Sequence, residues 1–317
     1  MQRGSPIVVV GSSNSDMIIQ LDHLPRPGET VIGGKFSTAA GGKGANQAVA
    51  AARAGGRVAF VARVGGDELG AAALAGFRRD GIDVRHVSRD PAHRSGVAFI
   101  LVDRHGENSI AVASGANGHL RPADVRKAAP LLRRAGVLLT QLETPLTAVT
   151  AAVELVSAAG GTVILNPAPG RPLPRRLLRQ VSVLTPNESE AELLTGIKLT
   201  HHVAVEKAAA RLRALGARAV VITLAARGVF VADDVTHDFF PGFKVTARDT
   251  TAAGDIFNGA LAVALAERTP LAAAVRFAQA AAALSVTRLG AQSSAPARLE
   301  IEQFLATRTR SKTNRSI

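Results

Sequence analysis

Short runs rich in Val, Ile and Leu alternate along this chain with longer stretches in which apolar residues return every three or four positions. IVVVG at 7–11 is followed by GANQAVAAARA at 44–54, VAFVARVG at 58–65 by DELGAAALAGFRRD at 67–80, and VLLTQLE at 137–143 by PLTAVTAAVELVSAAG at 145–160. TVILNP at 162–167, VSVLTP at 181–186 and AVVITL at 219–224 continue the strand pattern, with helical NESEAELLTG at 187–196 and VAVEKAAARLRALG at 203–216 between the last two. A chain that keeps switching between these periods predicts an α/β fold, a mostly parallel central sheet with helices on both faces. Such sheets bind ligands beyond the carboxyl ends of their strands. Polar groups fall at those ends: NSD after IVVVG, QLE closing VLLTQLE, NP after TVIL, TPNE after VSVL and TLAARG after AVVI.

Two regions break the alternation. MIIQL at 17–21 with VIGGKFSTA at 31–39, and GVAFILVD at 96–103 with NSIAVAS at 108–114, read as strands joined by turns, with RHGE at 104–107 as a hairpin tip. Together they predict a small sheet standing off the main body. The expected organisation is a single domain over 1–307, with lid strands inserted at about 17–39 and 96–114 and a basic, disordered tail at 308–317.

Composition narrows the function classes. A chain of 317 residues with 47% hydrophobic content can fill a large core. No apolar run approaches the roughly 20 residues that span a bilayer, and the start MQRGSPIVVVG has no signal-peptide core, so a soluble cytoplasmic protein is expected. With no cysteine, disulfides, thiolate metal sites and cysteine nucleophiles are excluded. The formal charge is +13, of which Arg308, Arg310, Lys312 and Arg315 supply four, leaving +9 for the rest. The arginines of the body are scattered along helices, and Trp and Tyr are absent, so nucleic-acid binding is not expected. The histidines form no H-E-x-x-H or similar ligand set.

Candidate chemistry concentrates in two stretches. In DTTAAGDIFNG at 249–259, small residues lead into Asp255 where a helix begins, leaving N–H groups without intrahelical acceptors and an acid among them. That arrangement suits phosphoryl transfer: a carboxylate to take a proton from a hydroxyl, and amides at Ala253, Gly254 and Asp255 to hold a transferred phosphoryl group. In GGKGANQAVAAARA at 41–54, two glycines precede an Ala-rich helix whose first turns carry Lys43, Asn46 and Gln47. No G-x-x-x-x-G-K-[ST] run occurs, so a P-loop is not expected.

These stretches carry a resemblance. GGKGANQAVAAARAG resembles the N-terminal signature of the PfkB-type sugar kinases, and DTTAAGDIFNGAL their C-terminal signature. GSSNSD at 11–16, QLETP at 141–145, LNPAP at 165–169 and TPNESEAELLTG at 185–196 are similar to the ribokinase branch of that family, in order from about Ile7 to Phe304. The resemblance implies ATP-dependent phosphorylation of D-ribose at its 5-hydroxyl, with Asp255 as general base. It assigns sugar contacts to Asn14, Asp16, Gly42, Lys43, Asn46 and Glu143, and magnesium and phosphate to Asn187 and Glu190, which by spacing can share one helix face. ATP is assigned to Asn187, Thr223, Ala225, Gly228, Gly254 and Gln279. Two positions depart from the family's pattern: Ala225, where the family commonly has glycine, and Gln279, near which it commonly has a His or Asn. The resemblance further implies a potassium ion at Asp249, Thr251, Ser285, Arg288, Gly290 and Ser294, and a homodimer formed through the lid. The alternatives are a kinase of the same fold acting on 2-deoxyribose, another sugar or a nucleoside, and, from a different class, a non-catalytic sugar-binding regulatory protein.

Overall fold

The structure is a computed structural model that describes residues 4–313, with side chains described as far as Arg308. The buried run Ile7–Val10 forms β1 and lies inside the main sheet. The other strands are β2 (Asn14–Gln20), β3 (Lys35–Gly41), β4 (Val58–Gly65), β5 (Asp83–Asp90), β6 (Gly96–Val102), β7 (Asn108–Ala113), β8 (Val137–Thr140), β9 (Thr162–Leu165), β10 (Val183–Leu184), β11 (Ala219–Thr223), β12 (Gly228–Ala232) and β13 (His237–Pro241). The helices are α1 (Lys43–Arg53), α2 (Glu68–Arg79), α3 (Pro122–Lys127), α4 (Ala129–Leu132), α5 (Leu146–Ala158), α6 (Arg175–Leu178), α7 (Glu188–Thr195), α8 (His202–Leu215), α9 (Ala253–Ala266), α10 (Leu271–Ser285) and α11 (Arg298–Thr313).

Nine strands form the main sheet in the order β13-β12-β11-β10-β9-β8-β1-β4-β5. It is parallel from β11 to β5, and β12 and β13 extend it antiparallel. Side chains of β1 alternate between two cores, as the pleat requires. Ile7 and Val9 join Val49 of α1, Phe77 of α2 and Leu261 of α9 on one face. Val8 and Val10 join Val125 of α3, Val153 of α5 and Leu212 of α8 on the other. The predicted α/β architecture is the observed one.

The second sheet has the order β3-β2-β6-β7, with β2 and β6 parallel and the outer pairs antiparallel. Its strands differ in their bounds from the expected ones. β2 begins at Asn14 rather than Met17, and β3 begins at Lys35 rather than Val31, because Gly33 and Gly34 take positive φ values of 107° and 94°, outside the extended region. Asp103–Glu107 closes the β6–β7 hairpin, where Glu107 donates its N–H to the Asp103 carboxylate at 2.9 Å.

Helix α11 reaches into the stretch expected to be a tail. α11 continues to Thr313, because RLEIEQFLATRTRSKT holds neither Gly nor Pro. Arg308 lies over the Phe304 ring at 5.1 Å and donates to the Lys244 carbonyl at 3.4 Å. The rest of that stretch, 314–317, lies outside the described residues. Among the described residues no helix is long and apolar enough to cross a membrane.

Candidate active site

The start of α1 is pressed against the loop leaving β1. Gly42, its cap, has φ +87°, and a Cβ there would lie 2.6 Å from the Asn14 nitrogen, so neither the conformation nor the spacing admits a side chain. Across this contact the Ser12 hydroxyl donates to Glu143 Oε2 at 2.5 Å and the Lys43 N–H donates to the same oxygen at 2.9 Å. Asn14, Asp16 and Asn46 are buried nearby. The Asn46 Oδ1 atom is buried without a hydrogen-bond partner among the described residues, which suits a ligand hydroxyl that donates to it.

Helix α9 crosses α1 closely because residue 259 is glycine. A Cβ there would stand 2.6 Å from Ala50 Cβ and 2.7 Å from the Gln47 carbonyl oxygen. One turn earlier, Asp255 therefore meets the polar start of α1: Asn46 Nδ2 donates to its Oδ2 at 3.0 Å and Gln47 Nε2 to its Oδ1 at 2.9 Å. Behind them, Gln47 also donates to Asn166 Oδ1 at 3.1 Å and accepts from Gln141 Nε2 at 2.6 Å. The strand ends of β8 and β9 thus lock the amide that aims at Asp255.

The electrostatics are dominated by burial. Desolvation pushes the Asp255 carboxyl up, while Lys43 and the Asn46 and Gln47 amides pull it back. Asp16 is raised from 3.8 to about 6 by burial, with Glu143 and Asp255 adding repulsion. Glu190 is raised by burial, against the opposing Asn187 N–H and Lys43. Lys43 is the cation among these acids: Asp255 first, then Glu143 and Glu190, raise its ammonium above the ordinary value despite burial.

At the start of α9, Ala252 is left-handed with φ 59°, and Ile256 makes the first helical bond, to the Ala252 carbonyl at 2.9 Å. The N–H groups of Gly254 and Asp255 find no acceptor among the described residues, and a Cβ at 254 would meet nothing within 4 Å. Open space and free donors meet at a helix N-terminus, a combination that attracts anionic oxygens. Ala253 differs from expectation, since its N–H already donates to the Thr250 carbonyl at 3.2 Å.

Asn187 caps α7. Its Oδ1 accepts from the Glu190 N–H at 2.8 Å, and Glu190 Oε2 accepts from the Asn187 N–H at 2.9 Å, a reciprocal capping box. An isolated bridge pairs Asn187 with Thr223, which joins this cap to the end of β11. The following turn, Ala225–Arg227, places Ala225 at φ 49°, the left-handed conformation in which the family's glycine is unstrained. Gly228, at φ 121°, lies where a Cβ would be 2.1 Å from the Phe240 carbonyl oxygen. Gln279 Nε2 donates to that same oxygen at 2.9 Å, and its Oε1 accepts from Arg276 at 2.9 Å. Thr223, Ala225, Gly228 and Gln279 are therefore gathered at one edge, but Gln279 braces β13 through its Nε2 and, through its Oε1, holds Arg276, which itself donates to the Pro241 carbonyl at 2.9 Å.

The sequence model of the pfkB family of carbohydrate kinases matches residues 5–298. The chain belongs to this family. It is 46% identical over 299 residues to a ribokinase of Haemophilus influenzae, covering 94% of this chain and 98% of that one. It is 36% identical over 301 residues to a deoxyribokinase of Salmonella typhimurium, covering 94% and 97%. The solved structure of Arabidopsis thaliana ribokinase complexed with ribose and ATP superposes with a TM-score of 0.88 at 33% identity, covering 95% of this chain and 99% of that one.

Beside the α9 loop of this pfkB-family kinase, Asp249 accepts from the Thr251 N–H at 2.8 Å and the Gly290 N–H at 2.7 Å. Burial pushes its carboxyl up, and the bonds from Thr251 and Gly290 outweigh that, leaving it below the usual range. Ser285 and Arg288 lie in the turn that ends α10, where the Arg288 N–H donates to the Ser285 carbonyl at 2.9 Å, and the Arg248 and Asp249 N–H groups both bond the Val286 carbonyl of the same turn. The Ser294 hydroxyl donates to the Ala291 carbonyl at 2.8 Å, and the Arg288 guanidinium pairs with Glu300.

Some residues of the site carry no role that their sequence context reveals. Ser12 lies inside the GSSNSD motif with no chemistry to single it out, and Gln47, expected only as a polar residue in the first turns of α1, is bonded to Asp255. Asn117, in the 3-10 turn Gly115–His119, holds the Ser13–Asn14 backbone and side chain from a region that reads only as the end of the lid. The N-x-x-E spacing of Asn187 and Glu190 suggests a shared helix face, whereas Asn187 stands at the cap and only Glu190 is within the helix.

Proposed function

We propose that this chain is a ribokinase, transferring the γ-phosphoryl group of ATP to the 5-hydroxyl of D-ribose to give D-ribose 5-phosphate and ADP. The observation that carries this reading is the meeting of Asp255 with the α1 amides at a helix start whose Gly254 and Asp255 N–H groups are free. The likeness to proteins named ribokinase, one of them solved with ribose and ATP, supports the same substrate pair.

In this reading Asn14, Asp16, Gly42, Lys43, Asn46 and Glu143 bind the sugar. Buried amides and carboxylates with one ammonium suit an uncharged polyol, since each hydroxyl both donates and accepts. Asp255 takes the 5-hydroxyl proton as that oxygen attacks the γ-phosphorus, and ADP leaves from the opposite side. Its raised affinity for a proton makes it a better base than an exposed carboxylate. The Gly254 and Asp255 amides, with Ala253 shared with Thr250, stabilise charge on the transferred group. ATP lies along Asn187, Thr223, Ala225, Gly228 and Gly254, with Gln279 supporting that edge from behind.

ATP-dependent kinase chemistry of this family needs Mg2+. Three acids, Asp255, Glu143 and Glu190, act on the single ammonium of Lys43, and this surplus of negative charge fits a nearby divalent cation. Among the described residues no group of three His, Cys, Asp or Glu is placed to hold a metal by itself; Asn187 and Glu190 would be the protein's contribution, with phosphate oxygens and waters completing the shell. Magnesium neutralises the polyphosphate charge when bound.

A potassium ion beside Asp249 and Thr251, with carbonyls from the 285–294 turn, would fix the backbone leading into α9 without touching substrate. Two copies pair through the lid, which exposes Phe36 and Phe99 on one face of its small sheet and Ile110 and Val112 on the other. The setting is the cytoplasm, where ATP is available. An ADP-release assay over a panel of sugars tests the reading. The deoxyribokinase relative makes 2-deoxyribose the sugar to compare first.

A further inference from the structure

Asn117 is 2% exposed and lies where the chain returns from the lid to the main domain. Its Oδ1 accepts from the Ser13 N–H at 2.8 Å, and its Nδ2 donates to the Ser13 carbonyl at 3.0 Å and to Asn14 Oδ1 at 2.7 Å. A backbone N–H only donates, so the oxygen of Asn117 is fixed on Ser13 and its nitrogen on Asn14. Asn14 must then turn its own oxygen to Asn117. Its Nδ2 remains a donor with no acceptor among the described residues.

We propose that Asn117 is a positioning residue that sets the polarity of sugar recognition, holding Asn14 so that it offers an N–H rather than an oxygen to a sugar hydroxyl. The inference rests on the reading of Asn14 and Asp16 as sugar ligands. The two lie two residues apart on β2 and so share a face of the lid sheet. A hydroxyl between them accepts from Asn14 and donates its single proton to the Asp16 carboxylate. With Asn14 reversed, two oxygens face one proton, and one contact is lost.

Gly96 supplies an independent observation. It pairs with Asn14 in the β2–β6 register, and a Cβ there would lie 2.2 Å from both Asn117 Nδ2 and Asn14 Oδ1. The missing side chain is therefore the space in which the two amides meet.

Two variants break the arrangement by different means. Asn117→Asp replaces the donor by an oxygen and favours the reversed Asn14, while Gly96→Ala keeps both amides and wedges them apart. Each is compared with the parent on whichever sugar the parent phosphorylates, for KM of sugar, KM of ATP, kcat and melting temperature, and again in an Asn14→Ala background. The substrate reading is tested by the parent alone, so the two can fail separately. The expected result is a rise of about tenfold or more in sugar KM for both variants, with kcat and ATP KM within a few-fold. No further rise is expected once Asn14 is Ala. An unchanged sugar KM, or an equal rise with and without the Asn14 side chain, would mean that Asn117 only braces the loop and would overturn the proposal.

Discussion

The Gln47 amide donates to Asp255 Oδ1 at 2.9 Å, tying the helix that begins at Lys43 to the helix that begins at Ala253. Because Gln47 is fully buried and held from behind by Gln141 and Asn166, this bond fixes where the Asp255 carboxylate stands before any substrate arrives. A base positioned in advance needs no reorganisation at the moment of proton transfer.

Asp255→Asn keeps the shape and removes the base. Asn46 can rotate its amide to meet the new side chain, since its Oδ1 has no partner to lose. Turnover should fall by about 10²- to 10⁴-fold, with ribose binding by calorimetry retained. Near-parent kcat in the variant would remove Asp255 from the role of base.

Asp16 carries a pH signature. Burial, then Glu143 and Asp255, raise its carboxyl from 3.8 to about 6, so between those values the folded protein holds a proton that the unfolded chain has released. Stability from this group therefore falls as pH rises through about 4 to 6, by on the order of 3 kcal/mol in all. Asp16→Asn should raise the melting temperature at pH 7.5 more than at pH 4, while weakening ribose binding. In the parent, ribose KM should rise as pH falls below about 6, because the protonated group no longer accepts freely. A melting difference of equal size at both pH values would contradict the assignment.

The monovalent cation is tested separately. Turnover in potassium should exceed turnover in a bulky organic cation at matched ionic strength, and Asp249→Ala should abolish the difference. Equal turnover of the parent in both salts would dismiss the ion.

Ala225 stands at φ 49°, which costs an L-residue about 1–2 kcal/mol. Ala225→Gly relieves that cost but adds backbone freedom to the unfolded chain, worth roughly 0.4–1 kcal/mol. A net stabilisation of up to about 1.6 kcal/mol is expected by chemical denaturation. Destabilisation by the glycine would show that the loop does not need this conformation.

Strand ends are the legible part of this chain. Five polar motifs following β1, β8, β9, β10 and β11 can be located because parallel strands are continuous apolar runs that stop abruptly. β5 and β13 escape such a reading: DVRHVSRD and HDFFP are polar, partly exposed edge strands without a clear period. β12, GVFVA, is apolar, but no helical pattern sets it off from β11. Asn187 and Glu190 are assigned by resemblance, while the spacing that makes them a reciprocal capping box is a local signal in its own right. Asn117 has no such signal. Its partners are more than a hundred residues away, and only the return of the chain from the lid to β1 brings them together.

The most direct measurement is magnesium-dependent ADP release with D-ribose, 2-deoxyribose, fructose and adenosine as acceptors, followed by identification of the phosphorylated carbon. Turnover should depend on ribose, place phosphate at its 5-position and be lost in Asp255→Asn. Comparable turnover on fructose or adenosine with none on ribose would contradict the assignment of this chain as a ribokinase.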